Sequence, residues 1–309
     1  MNEKIHKPVL LKEVIEYLKI EENGIYIDAT AGYGGHSEEI VKRLKNGKLY
    51  CIEQDENAAE YLKDKFKNNK KIEIITDNFK IIGLFFENNS INGVLFDLGV
   101  SSPQLDINDR GFSFRTNALL DMRMNQKNSL TAFEIVNYFD FQTLGYIIKT
   151  YSEERLYKQI AKEIIKVREK KFIRTTFELA EIVRNVYKRA GYFKSKIDPA
   201  TKTFQAIRIY VNDELTALKE ALKGVIPKLV SKGRIVVISF HSLEDRIVKN
   251  FFREKSRDCK CNLKINKECR CGIKKELEII TKHPIEADEE EVIKNKRARS
   301  AKLRCAEKV

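Results

Sequence analysis

Residues Ile25 to Ser37, reading Ile-Tyr-Ile-Asp-Ala-Thr-Ala-Gly-Tyr-Gly-Gly-His-Ser, most limit what this chain can fold into. A short apolar run ends at Asp28, a glycine-rich turn follows, and a helical pattern opens near Ser37. Strand, tight turn and helix in that order make a nucleotide-cofactor site, because glycine lets backbone approach a ligand closely. Two details disfavour a dinucleotide. Gly32 and Gly34 satisfy the start of G-x-G-x-x-G, but Ser37 stands at the third glycine position. Asp28 also sets a carboxylate where a pyrophosphate would sit, and like charges repel. A cationic, phosphate-free nucleoside suits the turn better, and S-adenosylmethionine is one. The alternative is a purely structural glycine turn, and the rest of the chain decides between them.

The first hundred residues alternate strand and helix patterns. Apolar runs at Ile25 to Ala29, Lys48 to Ile52, Ile72 to Thr76 and Val94 to Leu98 read as strands. Ser37 to Leu44 and Asn57 to Phe66 read as helices between them. Such alternation implies right-handed crossovers and a parallel, doubly wound sheet. From about Gln104 to Tyr210 the rhythm gives way to helix patterns. Tyr157, Ile160, Ala161, Ile164 and Ile165 share one helical face, and Thr175 with Glu178 makes a capping box. The α/β pattern returns with a helix from about Asn212 to Val230 and a strand from Arg234 to Phe240. Ser242 is the expected cap of a further helix, and extended runs follow at Leu277 to Thr281 and Ser300 to Ala306. The expected fold is α/β: a doubly wound, mostly parallel, seven-stranded Rossmann-like sheet of the class I methyltransferase plan, with an inserted α-helical domain. The expected boundaries are 1–105 and 211–309 for the two parts of the sheet domain and 106–210 for the insertion.

In such a sheet the ligand lies beyond the carboxyl ends of the strands, where strand order reverses. Asp28, Asp55 and Asp97 should all be delivered to that edge. Asp55 follows the glycine turn by about 20 residues, the spacing at which an acid bonds a ribose diol. Phe79, after the third strand, is placed to lie against an adenine face. Together these groups suit a ligand carrying an ammonium, a sulfonium and a ribose.

Fifty-eight Lys and Arg against 45 Asp and Glu give a net charge of +13, which points to a polyanionic partner, nucleic acid first. No apolar run is long enough to span a membrane and the N-terminus lacks a signal-peptide core, so a cytoplasmic protein is expected.

The fourth strand continues as Asp97-Leu-Gly-Val-Ser-Ser-Pro-Gln104-Leu-Asp106, then Arg110-Gly-Phe-Ser-Phe114 and Leu120-Asp-Met-Arg-Met124. With Pro8-Val-Leu-Leu, Pro199-Ala-Thr-Lys-Thr-Phe-Gln-Ala-Ile-Arg-Ile209, Ser239-Phe-His-Ser-Leu-Glu-Asp-Arg-Ile-Val248 and Arg297-Ala-Arg-Ser-Ala-Lys-Leu-Arg304, nearly the whole chain resembles the MraW family. That bacterial family methylates N4 of a cytidine in small-subunit ribosomal RNA. The resemblance implies S-adenosylmethionine as cofactor and 16S ribosomal RNA, or the small ribosomal subunit, as partner; a homodimer stays open beside a monomer. It places cofactor contacts on Gly34, Gly35, His36, Asp55, Phe79, Asp97 and Gln104, of which Gln104 comes from the resemblance alone. Leu119 and Ser152 depart from the family's usual proline and glycine, which should alter local backbone only. The competing functions are a non-catalytic ribosome-assembly or RNA-binding factor and a DNA amino-methyltransferase.

Asp97 is the candidate catalytic group, accepting hydrogens of a cytosine amine as a methyl arrives. None of the five prolines precedes a cysteine, which disfavours attack through C5 of a pyrimidine. His241 either faces the pocket or serves as a hydrogen-bonded structural histidine. Phe112 and Phe114 either stack a flipped base or pack the insertion. Lys296, Arg297, Arg299, Lys302 and Arg304 are candidate phosphate contacts.

Cys51 and Cys305 sit in apolar, strand-like contexts and should be core residues. Cys259, Cys261, Cys269 and Cys271 form two Cys-x-Cys units that either hold a structural zinc or stay as reduced thiols in a basic hairpin. Metal analysis of protein purified without chelators decides between them. A zinc site requires close to one zinc per chain, and less than about half would leave the thiols unliganded.

Overall fold

The computed structural model describes residues 8–100, 110–192, 197–259, 272 and 274–309. The chain divides into two compact units, Met1–Gly99 with Leu215–Val309, and Val100–Glu214. The first is built on seven strands: β1 (Ile25–Asp28), β2 (Lys48–Glu53), β3 (Ile72–Thr76), β4 (Ile91–Asp97), β5 (Leu229–Ser239), β6 (Leu277–Ile279) and β7 (Lys302–Lys308). Their order is β3-β2-β1-β4-β5-β7-β6, parallel throughout except for β7, which is antiparallel to both β5 and β6.

The inner strands are apolar on consecutive residues because helices cover both faces of a parallel sheet. In β4 and β5, Val94, Phe96, Ile235 and Val237 enter one core, while Leu95, Val236 and Ile238 enter the other. Cys51 and Cys305 belong to the second core and are fully buried, as their apolar neighbours predict. Its N-terminal part carries the helices α1 (Leu11–Leu18), α2 (Gly35–Val41), α3 (Glu56–Lys65) and α4 (Ile82–Phe85).

In the helical unit, α5 (Ala132–Tyr138), α6 (Phe141–Ser152), α7 (Tyr157–Arg168), α8 (Thr176–Arg189) and α9 (Ala200–Asn212) surround one core. Thr175 and Glu178 close the expected capping box of α8, and Thr131 and Glu134 form another at α5. Phe112 is buried in that core, and Phe114 packs edge-on against Phe204 at 4.9 Å. Both rings thus pack this unit, Phe112 fully and Phe114 in part. Ser152, one of the departures from the family pattern, donates its hydroxyl to the Ile148 carbonyl at 2.7 Å.

The sequence pattern opened a helix at about Asn212, but Asn212 is the last residue of α9. The chain instead breaks at Asp213, whose φ of 49° is left-handed, before α10 (Glu214–Lys228). The cause is tertiary. Asn212 is buried, donates to Met122 and Arg208 carbonyls at 2.8 and 2.9 Å, and accepts from the Met124 amide at 2.7 Å. The following helix, α11 (Ser242–Lys255), is capped by His241 rather than by Ser242, which is its first residue. A short α12 (Glu289–Lys294) precedes β7.

Where α4 meets α10, Gly83 and Gly224 let two backbones touch. A Cβ on Gly83 would lie 2.9 Å from the Gly224 Cα, where only backbone movement can relieve it. Helix propensity alone would favour alanine by up to about 1 kcal/mol. Overpacking costs about 1–3 kcal/mol and wins. Gly83→Ala should therefore lower the urea midpoint; an unchanged or raised midpoint would mean that the two helices slide apart freely.

Candidate active site

Strand order reverses between β1 and β4, so a ligand is expected beyond their carboxyl ends. Asp28 closes β1 there, 1% exposed. Its Oδ2 accepts from Ser37 Oγ at 2.6 Å and its Oδ1 from the Thr30 amide at 3.4 Å. The Cys51 thiol donates to the same Ser37 oxygen at 3.3 Å. Asp28 thus fastens the turn to α2 and to β2, and burial pushes its carboxyl up to about 6 against the lowering by those bonds. Ser37, which spoiled the dinucleotide pattern, is the residue that satisfies this buried acid.

Glu53 closes β2 and holds two backbone amides at once. Its Oε2 accepts from Gly32 and its Oε1 from Asp55, each at 2.8 Å. Burial pushes this carboxyl up to about 7; the two amides oppose the rise, while the charges of Asp55 and Asp28 add to it. Sequence reading missed Glu53, although the rule that singled out Asp28 and Asp97, an acid ending an inner strand, applies to it equally. Asp55, two residues on, is buried and caps α3 by accepting from the Asn57 amide at 3.1 Å.

The glycine turn is left-handed at Gly32 (φ 52°) and at Gly34 (φ 78°), the N-cap of α2. A Cβ on Gly34 would sit 2.8 Å from Leu62 and 2.9 Å from Phe66, so side-chain bulk is excluded on both conformational and steric grounds. Gly35 opens the helix and His36 follows, buried. His36 Nε2 lies 3.0 Å from the Val9 carbonyl and Nδ1 lies 3.6 Å from Asp97 Oδ2.

Asp97 ends β4, and its amide donates to Thr30 Oγ1 at 2.6 Å. Its Oδ1 is sealed from solvent and accepts no hydrogen bond from the described residues. Burial, then the charges of Asp28 and Glu244, hold this carboxyl well above the usual range. Phe79 opens the turn after β3 with its ring T-shaped against Phe96 at 5.7 Å. Beside it Asn78 Nδ2 donates to Gln54 Oε1 at 2.8 Å, joining the chain ends after β2 and β3.

Gln104, Cys261, Cys269 and Cys271 lie outside the described residues, and Cys259 is half-buried. His241 is committed to structure: its Nδ1 accepts from the Glu244 amide at 3.4 Å, and Nε2 stands 3.2 Å from Glu244 Oε1. That pair lacks hydrogen-bond geometry, and Nε2 has no hydrogen-bond partner among the described residues. Arg304 is withdrawn from the candidate phosphate contacts. It is 8% exposed and bonded to Asp245 at 2.6 and 3.2 Å, since alternation in β7 turns it inward. Lys296 and Arg299 remain exposed on the turn before β7.

A bare glycine turn and buried acids at the reversal point of this sheet, with its one reversed strand, define a Rossmann-like methyltransferase domain. The chain belongs to the MraW methylase family, which matches residues 3–309. It is similar to proteins named ribosomal RNA small subunit methyltransferase H. One, from Caldicellulosiruptor saccharolyticus, is 50% identical over 98% of this chain and 99% of its own length. Others, from Halothermothrix orenii and Finegoldia magna, are 49% and 46% identical, each over 98% of both chains.

Glu53→Gln preserves volume but offers one acceptor to two amides. A folded-state value near 7, above the ordinary 4.5, means that the folded protein binds this proton more tightly. The contribution is complete below the ordinary value and is lost as pH rises through about 7. Thermal melts of ligand-free protein should show wild type losing stability relative to Glu53→Gln between about pH 5 and pH 8. Parallel melting curves across that range would refute the buried, protonated Glu53.

Proposed function

We propose that this protein is an S-adenosylmethionine-dependent methyltransferase that modifies N4 of a cytidine in the decoding region of 16S ribosomal RNA. The observation that carries the reading is Asp97, a half-buried acid at the reversal point of the sheet whose Oδ1 is sealed from solvent and has no hydrogen-bond partner among the described residues. The names of the relatives, which span the whole chain, support ribosomal RNA as substrate. The residues fit the cofactor. Left-handed Gly32 and Gly34 bare the backbone, and the raised acids form an electrostatic environment for a cation.

Bound S-adenosylmethionine supplies a methyl group on a positively charged sulfur. Gly34, Gly35 and His36 line the turn that would receive it, Asp55 would take the ribose diol, and Phe79 would lie against the adenine. Gln104 joins them by family likeness. The exocyclic amine of cytosine is a weak nucleophile because its lone pair is delocalised into the ring. Asp97, as carboxylate, accepts the amine hydrogens, aligns the lone pair and stabilises positive charge growing on N4.

The net charge of +13 suits an RNA partner, and the exposed Lys296 and Arg299 are available to phosphates. We assign substrate recognition to the helical unit and a cytoplasmic location to the protein. Among the described residues no helix is long and apolar enough to cross a membrane.

Labelled cofactor offered with small subunits, bare ribosomal RNA or DNA, followed by nucleoside analysis, tests this reading. N4-methylcytidine in ribosomal RNA is the expected product; label in DNA, or in no nucleic acid, would overturn it. Asp97→Asn should lose about 100-fold or more in turnover while cofactor affinity changes only a few-fold. Equal losses in both would confine Asp97 to cofactor binding.

A further inference from the structure

We propose that His36 is the proton partner of Asp97, with its imidazole fixed so that the Nδ1 lone pair faces the carboxyl and takes its proton, freeing Asp97 as the carboxylate that accepts from the substrate amine. The proposal rests on the assignment of Asp97 as the acceptor in methyl transfer.

The argument starts from the other side of the ring. His36 Nε2 lies 3.0 Å from the Val9 carbonyl oxygen, which can only accept, so Nε2 carries a hydrogen. In the neutral ring Nδ1 is then a lone pair. That lone pair faces Asp97 Oδ2 at 3.6 Å. Two acceptors do not settle opposite one another in a buried site. One proton therefore belongs to the pair, written either as Asp97 carboxyl with neutral His36 or as Asp97 carboxylate with imidazolium. The separation is longer than a hydrogen bond, as catalytic contacts commonly are before substrate closes the site.

The groups facing the pair come from several elements. Asp28 at the end of β1 and Glu244 on α11 both act on Asp97 with like charge and favour its protonated form. Val9, before α1, fixes the far side of the ring, and α2 supplies the ring itself. The two oxygens of Asp97 are thereby given different work. Oδ2 faces His36, while Oδ1 is the oxygen without a partner and is left for the amine.

The proton accounting closes. As methyl joins N4, the C–S bond breaks and its electron pair stays on sulfur, while N4 becomes a cationic, four-bonded nitrogen. Asp97 as carboxylate takes one hydrogen from N4 through Oδ1, and the electrons of that N–H bond return to N4. The pair's own proton has by then passed from Asp97 Oδ2 to His36 Nδ1, which is what leaves Asp97 a carboxylate; after the transfer the imidazolium releases its proton to solvent and the pair again holds one. His36 is accordingly a positioning residue and proton store acting through Asp97, with no contact to the methyl group required.

Nitrogen-15 spectra of the histidine rings test the pair without turnover. The four histidines are few enough to assign by single substitution. His36 is expected as the Nε2–H tautomer, with a titration midpoint that moves by about half a pH unit or more in Asp97→Asn. The exposed His283 serves as control and should not move. The Nδ1–H tautomer, or a midpoint unmoved by Asp97→Asn, overturns the proposal.

Kinetics supply the second arm. His36→Gln retains an amide nitrogen for the Val9 carbonyl, and His36→Asn retains a polar group near Asp97; neither stores a proton. His36 also lies in the cofactor turn, so S-adenosylhomocysteine affinity is measured beside turnover: both variants should lose at least about tenfold more in turnover than in affinity and shift the acid limb of the pH–rate profile. A loss of binding equal to the loss of turnover, or an unchanged pH profile, would reduce His36 to a structural residue. Should wild type methylate no nucleic acid while the ring titration still responds to Asp97→Asn, the assigned function fails and the coupled pair stands.

Discussion

Two backbone amides converging on the carboxylate of Glu53 are the contact on which the carboxyl edge of the sheet depends. One amide belongs to Gly32 in the turn after β1, the other to Asp55 at the head of α3. A single buried side chain therefore sets the distance between the two segments expected to grip a nucleoside. An unpaired acid in that position would cost several kcal/mol, so the amides and the acid require one another. Ser37 does the same for Asp28, with Cys51 completing the chain of bonds. Each acid is satisfied by backbone or hydroxyl rather than by a cation. The edge is left electrically suited to a positively charged ligand without being neutralised in advance.

This arrangement carries an internal tension. Asp28, Glu53 and Asp97 are all raised by burial, and each feels the negative charge of a neighbour or raises another's. Without a cation, protons relieve the repulsion; a bound sulfonium would relieve it instead. Stability and ligand affinity are thus linked through the same carboxyls. The site is costly to the unliganded fold for the reason that makes it suitable for its ligand.

The helical unit answers to different forces. Its motifs are staples more than reagents. Arg123 donates to both oxygens of Asp121, which it holds below the usual carboxylate range although burial works the other way, and reaches the carbonyls of Gln126 and Asn128. Arg110 donates to the carbonyls of Arg123 and Met124. Asn137 bonds both backbone groups of Ile173. Irregular chain with few ladder bonds has buried polar groups to satisfy, and these side chains satisfy them. The Leu120 to Met124 segment, which carries part of the family resemblance, is thus built into the architecture of this unit.

Sequence by itself determined the strand set, because fully buried strands must be apolar on consecutive residues and glycine turns must interrupt them. It also determined the capping box at Thr175 and the buried Cys51 and Cys305, since each depends on near neighbours in the chain. What it left open depends on contacts distant in sequence. The break at Asp213 follows from Asn212 serving residues about ninety positions away. Arg304 turns inward because Asp245, 59 residues earlier, receives it. Glu53 matters only once β1 and β2 lie side by side and the turn after one reaches the end of the other. The glycine turn itself was legible in its residues; that the carboxyls around it are pushed toward their protonated forms was decided by burial, which only the packed sheet supplies.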